Sequence, residues 1–301
     1  MEKIRSNRAG IIASTVLFTF LFGAFLGAEN DGHPLVLQEM SWKDVQDYLK
    51  TSDMVIIPLG STEQHGPHLP LGTDTYESIG MSKMISARTG VLVAPVVLAG
   101  YSVYHSGFPG TLSLKPETLE QVLFETAEIL TKYGFKRFMF FNYHGGNQLS
   151  ESGVIHRINH TTKAVAVAIG IGAPFQAGGE RIEGVSMDSH AGIGETSLML
   201  YFQPDLVNME RAVKPKLSDT PQMEELRRLS RDHRELEIVM SALRAVPEET
   251  GKGGASHEIS NNGIWSDGDP QDSTRERGER NAKRMVNNAV RFIEAWKLAK
   301  K

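Results

Sequence analysis

Four side chains able to bind a metal or move a proton fall within one short stretch: Glu63, His65, His68 and Asp74. Glu63 and His65 are two apart, so in extended backbone they point the same way. Asp74 comes back to them if the intervening Gly- and Pro-rich segment turns. Far along the chain, His144 precedes Gly145-Gly146 and Glu195 follows Gly194. Glycine lets backbone approach closely but packs poorly, which suits a site better than a core. Glu63, Asp74 and Glu195 with His65 and His144 can hold two divalent cations if one carboxylate bridges them. Oxygen and imidazole donors together suit Zn, Mn, Fe or Ni. Two such ions can share a water, lower its pKa and polarise a carbonyl. The alternative is five unrelated polar residues in five turns, and spacing alone leaves both open.

The elements that must position these groups follow a regular order. Met54-Val55-Ile56-Ile57 is a short apolar run that reads as a buried strand over 54–59. Ser41 with Asp44 reads as a capped start to a helix over 42–50. Helices are expected over 74–89, from Pro116 through Lys132 and over 148–161. Strands are expected at 91–95, 137–141 and 164–171. Residues 174–190 read as irregular, 195–202 as a helix, 219–245 as one charged helix, 247–262 as a loop and 276–299 as the last helix. Strands alternating with helices predict an α/β fold in three layers, a mostly parallel central sheet flanked by helices on both faces. In such folds ligands gather outside the carboxyl ends of the strands. Glu63, His65 and His144 each follow a strand. His156 and His160 lie i, i+4 on a helix with no nearby carboxylate. Together with His33, His233 and His257 they read as polar surface.

The chain has 301 residues, 40% of them hydrophobic and 23% charged, an ordinary globular composition. Its zero cysteines exclude disulfides, thiolate zinc sites, Fe–S clusters and Cys nucleophiles. A formal charge of −4 gives no support for nucleic-acid binding. Lys3, Arg5 and Arg8 precede an uncharged run from Ala9 to Ala28 that ends in small residues. Residues 1–28 therefore read as a signal peptide. The run is also long enough for an uncleaved anchor through residues 9–28. Either way the expectation is an exported protein, periplasmic or extracellular, with one hydrolase domain over 38–299.

Four segments resemble the creatininase (creatinine amidohydrolase) family. They are Leu59-Gly60-Ser61-Thr62-Glu63-Gln64-His65-Gly66-Pro67-His68-Leu69-Pro70, Phe108-Pro109-Gly110-Thr111, Asn142-Tyr143-His144-Gly145-Gly146-Asn147 and His190-Ala191-Gly192-Ile193-Gly194-Glu195-Thr196-Ser197. A weaker match runs from Gly268-Asp269-Pro270 to Gly278, and the likeness covers about residues 38–297. The resemblance implies a parallel-sheet α/β fold, a homohexamer and two divalent metal ions (Zn, Mn or Fe). It implies Glu63, His65, Asp74 and His144 as ligands, with Asp74 as the bridge, and His190 as the proton-transfer group. Creatininase carries a Glu two residues after the His of its Asn-x-His motif, where this chain has Gly146. Glu195 is the candidate replacement. Creatininase also has a Glu before its catalytic His, here Ser189, and a flap aromatic near the position of Ser186. These departures argue against creatinine itself as substrate.

The resulting expectation is a metal-dependent amidohydrolase acting on a small molecule. It would cleave a C–N bond of an amide, lactam or formamide, outside ordinary peptide bonds or within small peptides. His105, Tyr143 and Ser189 are candidate substrate contacts, and His68 is expected to shape the loop. Two rivals keep the metals: an isomerase or lyase acting on a sugar or polyol, and a non-catalytic metal-binding envelope protein.

Overall fold

A computed structural model describes residues 32–95, 97, 99–177 and 180–299. The leader expectation for 1–28 and the Gly178-Gly179 pair lie outside the described residues. In chain order the helices are α1 (Trp42–Tyr48), α2 (Thr73–Thr89), α3 (Pro116–Tyr133), α4 (Gln148–Thr161), α5 (Ile193–Phe202), α6 (Pro221–Leu229), α7 (Glu237–Ala242), α8 (Ser256–Ile259) and α9 (Arg275–Leu298). The strands are β1 (Met54–Leu59), β2 (Leu92–Val93), β3 (Arg137–Asn142), β4 (Val165–Ala168), β5 (Asp188–His190) and β6 (Trp265–Ser266). Local chemistry sets the ends. Ser41 N donates to Asp44 Oδ2 at 2.8 Å and Asp44 N donates to Ser41 Oγ at 3.3 Å, closing the capping box of α1. Pro116 opens α3, and Gly134 ends it at φ 115°.

The central sheet has the order β2-β1-β3-β4 and every pairing in it is parallel. Alternate residues of each strand face opposite sides. Val55, Ile57, Phe138 and Phe140 pack with Leu119, Leu123, Val154 and Ile158 of α3 and α4. Met54, Ile56, Met139 and Phe141 pack with Met81, Leu198 and Val286 of α2, α5 and α9. Both faces are thus covered, giving three layers as the alternation predicts. Such strands read as unbroken apolar runs because neither face meets water. At the amino edge, Arg137 Nε donates to Asp53 Oδ1 at 2.6 Å, tying β3 to the chain entering β1. Among the described residues no helix is long and apolar enough to cross a membrane.

Four expectations are corrected. The region 219–245 is not one helix. It breaks after Leu229 and resumes at Glu237. Only Met223 of α6 and Met240 of α7 are buried, so no apolar stripe spans the break. The loop expected at 247–262 contains α8, whose Glu258 accepts from Ala255 N at 2.9 Å. Within the irregular 174–190 region, β5 pairs antiparallel with β6, and each is too short to show a period in sequence. His257, read as surface, has a side chain only 29% exposed, and a Cβ on Gly107 would fall 2.0 Å from its Nδ1.

Phe141 is fully buried between β1 and β4, on the face that α2, α5 and α9 cover. Phe141→Ala should cost about 3–5 kcal/mol. Urea unfolding of residues 32–299 checks this. A loss below roughly 1 kcal/mol would mean that this face is not core.

Candidate metal centre

β1 and β3 lie side by side with Leu59 opposite Asn142, so their following loops leave at one sheet edge. The first loop carries Glu63 and His65 and the second carries His144. Asp74 stands in the first turn of α2, and Glu195 in the first turn of α5. Helix amino ends favour negative charge, which suits both carboxylates. All five groups expected from sequence meet here. Glu63 and His65 are fully buried, Asp74 and His144 nearly so, and the Glu195 side chain is 18% exposed.

Asp74 is central. Its Oδ1 lies 3.2 Å from His65 Nε2, and that nitrogen lies 3.7 Å from Glu195 Oε2. Its Oδ2 lies 3.1 Å from His144 Nδ1, while Glu63 Oε2 is 3.3 Å from His144 Nε2. Two donor sets, His65/Asp74/Glu195 and Glu63/Asp74/His144, each bring their donor atoms within 4.8 Å of one another. The outer nitrogens are held by backbone. His65 Nδ1 donates to the Glu63 carbonyl at 3.1 Å, and His144 Nε2 donates to the Tyr101 carbonyl at 2.9 Å. Such bonds fix the tautomer and aim the other nitrogen inward, the usual support for a metal-ligating imidazole. Both Glu63 oxygens and Asp74 Oδ2 are buried, with imidazole nitrogens at 3.1–3.3 Å but no well-aligned hydrogen bond. Buried carboxylate oxygens left open among imidazoles fit divalent cations.

Protons compensate part of this charge in the metal-free protein. Burial disfavours charge on His65, but the carboxylates of Asp74, Glu195 and Glu63 outweigh it and push His65 up to about 9. Burial likewise opposes charge on His144, yet Glu63 and Asp74 hold it well above the usual imidazole range. Burial alone would raise Glu63, but His144 and His105 keep it well below the usual carboxylate range. Glu195 is raised to about 7 by burial, with His65 opposing.

His190 stands apart chemically. Burial lowers it well below the usual imidazole value, and the charges on His65 and His105 add to this. Its Nε2 donates to the Gln64 carbonyl at 2.7 Å, leaving Nδ1 as the basic atom, 3.7 Å from Glu63 Oε1. The same ring also completes a third donor set with Glu63 and His65. His105 is drawn into the centre. Its Nε2 lies 3.3 Å from Glu63 Oε1, and its ring stacks on His190 at 4.3 Å. Tyr143 and Ser189 line the adjoining cavity. Ser189 Oγ donates to the Trp265 carbonyl at 3.1 Å. His68 is not in a donor set. Its Nε2 is hydrogen-bonded to Thr196 Oγ1 at 2.8 Å, tying the first loop to α5.

The loop joining His190 to Glu195 is tight. Asp188 accepts from Ile193 N and Gly194 N, both at 2.8 Å. Ala191 takes φ 52°, a left-handed value unusual for a residue with a Cβ, and its N–H donates to Glu195 Oε2 at 2.5 Å. The structure also explains Gly146. A Cβ there would fall 2.0 Å from the Tyr101 carbonyl and 2.7 Å from the Tyr104 hydroxyl. No carboxylate side chain fits at that position, and Glu195 offers one from another element.

Three groups escaped the sequence reading. Gln64 Nε2 lies 2.9 Å from His105 Nδ1 and 3.0 Å from the Gly263 carbonyl, joining distant segments. Trp265 forms an aromatic wall, 5.2 Å from His105 and 5.7 Å from His190 between ring centroids. Glu77, one turn after Asp74, is fully buried with both oxygens unpartnered. Burial, then the charges of Glu195 and Asp74, push it well above the usual carboxylate range. Only the i+3 spacing from Asp74 pointed to it.

Residues 38–293 match the family model described as Creatinine amidohydrolase. The chain is 34% identical to the mycofactocin precursor peptide peptidase of Mycolicibacterium smegmatis over 81% of this chain and 85% of that protein. It is 32% identical to the 3-dehydro-scyllo-inosose hydrolase of Thermotoga maritima over 58% of each chain. Among solved structures, a zinc–zinc form of a creatininase variant superimposes with a TM-score of 0.66 at 22% identity, covering 88% of this chain and 99% of that one. At that identity the likeness speaks for the fold.

The raised His65 makes the metal-free protein pH-sensitive. Its folded-state value is about 9 against an ordinary 6.5. The stabilisation is complete below the ordinary value and is lost as pH rises through the folded one. Glu195, raised to about 7, acts with the same sign at lower pH. The metal-free protein should therefore melt at a lower temperature at pH 9 than at pH 6.5, and zinc binding at pH 7 should release protons. Melting curves and calorimetry in two buffers of different ionisation enthalpy check both. A melting temperature that rises across the window would contradict the assignment.

Proposed function

From the premise that this chain belongs to the creatinine amidohydrolase family, we propose that it is a metal-dependent hydrolase of a C–N bond in a small amide or short peptide. The observation that carries this reading is Asp74, whose two oxygens face two different imidazole–carboxylate sets. His65 and Glu195 would hold one ion and Glu63 and His144 the other, with Asp74 shared. Zinc and manganese are the ions to supply, since solved relatives include a zinc–zinc form and a manganese form. Divalent ions at such groups supply Lewis acidity and lower the pKa of water.

The chain's own residues do the rest. His190 is neutral near pH 7 and presents Nδ1 to the cluster. It accepts the proton of the attacking water at Nδ1 and returns it to the leaving nitrogen. A C–O bond forms, the C–N bond breaks, and an acid and an amine are released. The Gln64 carbonyl holds the ring in the tautomer this needs. Trp265, Tyr104 and His105 wall the site with aromatic rings. Hydrolysis is also the activity in the names of the peptide and inosose relatives; an inosose has no C–N bond, so it is the peptide relative that supports C–N cleavage here.

Asp74→Ala should abolish metal loading and turnover together. His190→Gln should keep its metal and lose about 100- to 10,000-fold in kcat. Metal content by mass spectrometry and amide hydrolysis by amine release read the two separately. A metal-loaded, active Asp74→Ala protein would sink the reading.

A further inference from the structure

The cavity over the donor cluster has a volume of about 860 Å³, in the range of sites for small ligands. Besides the donor cluster, its wall includes Met187, Asp219, Arg227 and Arg244. Most charges on this wall are already matched. Arg227 donates Nε and Nη2 to the two oxygens of Asp219 at 2.7 and 2.9 Å. Asp267, which lines a smaller neighbouring cavity together with Arg244, accepts from Ser186 N at 3.0 Å, from Met187 N at 3.1 Å and from the Ser186 hydroxyl. Glu180 faces Arg277 and Arg280 at 3.6 and 3.2 Å. Arg284 rests on the Gln176 carbonyl at 3.1 Å.

Arg244 is the least matched of these groups: Arg284 also lacks a carboxylate and has an open Nε, but it has a carbonyl acceptor. Arg244 Nη1 lies 3.6 Å from the Met187 thioether, and among the described residues no carboxylate comes within ion-pair distance of it. A thioether is a weak acceptor for a group with five N–H donors. The backbone beside it is also unusual. Ala245 takes φ 52°, and among the described non-glycine residues only Ala191, the neighbour of His190, shares a positive φ. The turn is pressed against Gly254, where a Cβ would fall 1.9 Å from the Leu243 carbonyl. Strain of this kind persists only where the surroundings over-determine it, and it clusters at functional sites.

We propose that Arg244 is the receptor for a substrate carboxylate and determines specificity. The preferred substrate is then a short peptide or N-acyl amino acid whose free carboxylate reaches Arg244 while its amide lies at the donor cluster. A planar guanidinium can grip a carboxylate through two parallel N–H bonds, which fixes orientation as well as charge. The inference rests on the hydrolase reading above for the placement of the amide.

The test uses zinc-loaded protein with N-acetyl-glycylglycine and its carboxamide, with binding read by calorimetry. Wild type should bind the carboxylate about 10- to 100-fold more tightly than the amide. Arg244→Ala should lose that preference, and Arg244→Lys should keep only part of it. Melting temperatures of both variants control for folding. Equal binding by wild type, no binding of either ligand at millimolar concentration, or a preference that survives Arg244→Ala would overturn the proposal. The last result would place the carboxylate at the metal ions. Turnover is scored separately. Binding with the expected preference but no hydrolysis in zinc or manganese forms would sink the hydrolase reading alone. Hydrolysis of both ligands without preference would sink the Arg244 assignment alone.

Discussion

A carboxylate taken out of water must be neutralised where it stands. Here Glu63 and Asp74 are both withdrawn from solvent within a few ångströms of each other, and Glu195 closes the same group. Without metal, the charge is met by protons on His65 and His144, which is why those imidazoles are held far above their ordinary range. Divalent ions would do the same work with more charge in less space. The proton inventory and the donor geometry are two views of one requirement, that positive charge be present between these oxygens.

That requirement explains the scaffold around it. Two adjacent parallel strands finish level, so two loops can face each other without long excursions. Two helices begin at the same edge and point their amino ends at the carboxylates. The buried faces of β1 and β3 fix these positions through packing, with Arg137 and Asp53 locking the opposite edge. Residues that bond to the donors from behind, the Tyr101 and Glu63 carbonyls, leave each ring one inward nitrogen.

Much of this was legible in the sequence because it is local. Glu63 and His65 lie on one side of an extended loop, and His144 follows an apolar strand whose register needs no partner to be read. The helix ends marked by Ser41, Pro116 and Gly134 were legible for the same reason. The rest depends on tertiary neighbours. Gln64 sits inside the motif, yet its contacts with His105 and Gly263 come from segments about 40 and 200 residues away. Trp265 belongs to a two-residue strand with no period to detect. The 219–245 region carries helical residues throughout, but propensity without a buried stripe does not hold a long helix together. Gly146 reads as a missing carboxylate in sequence and as an occupied space in three dimensions.

The loop clamped by Asp188 has a mechanical consequence. His190 and Glu195 are joined by four residues, two of whose amides are pinned to one carboxylate, and the remaining freedom is taken up by a left-handed alanine. Such a segment moves as one lever. A displacement that swings the His190 ring away from the cluster also draws on Glu195 Oε2, which the Ala191 amide grips. His190 and the carboxylate facing His65 are therefore coupled through this loop, so a shift of one pulls on the bonds that hold the other.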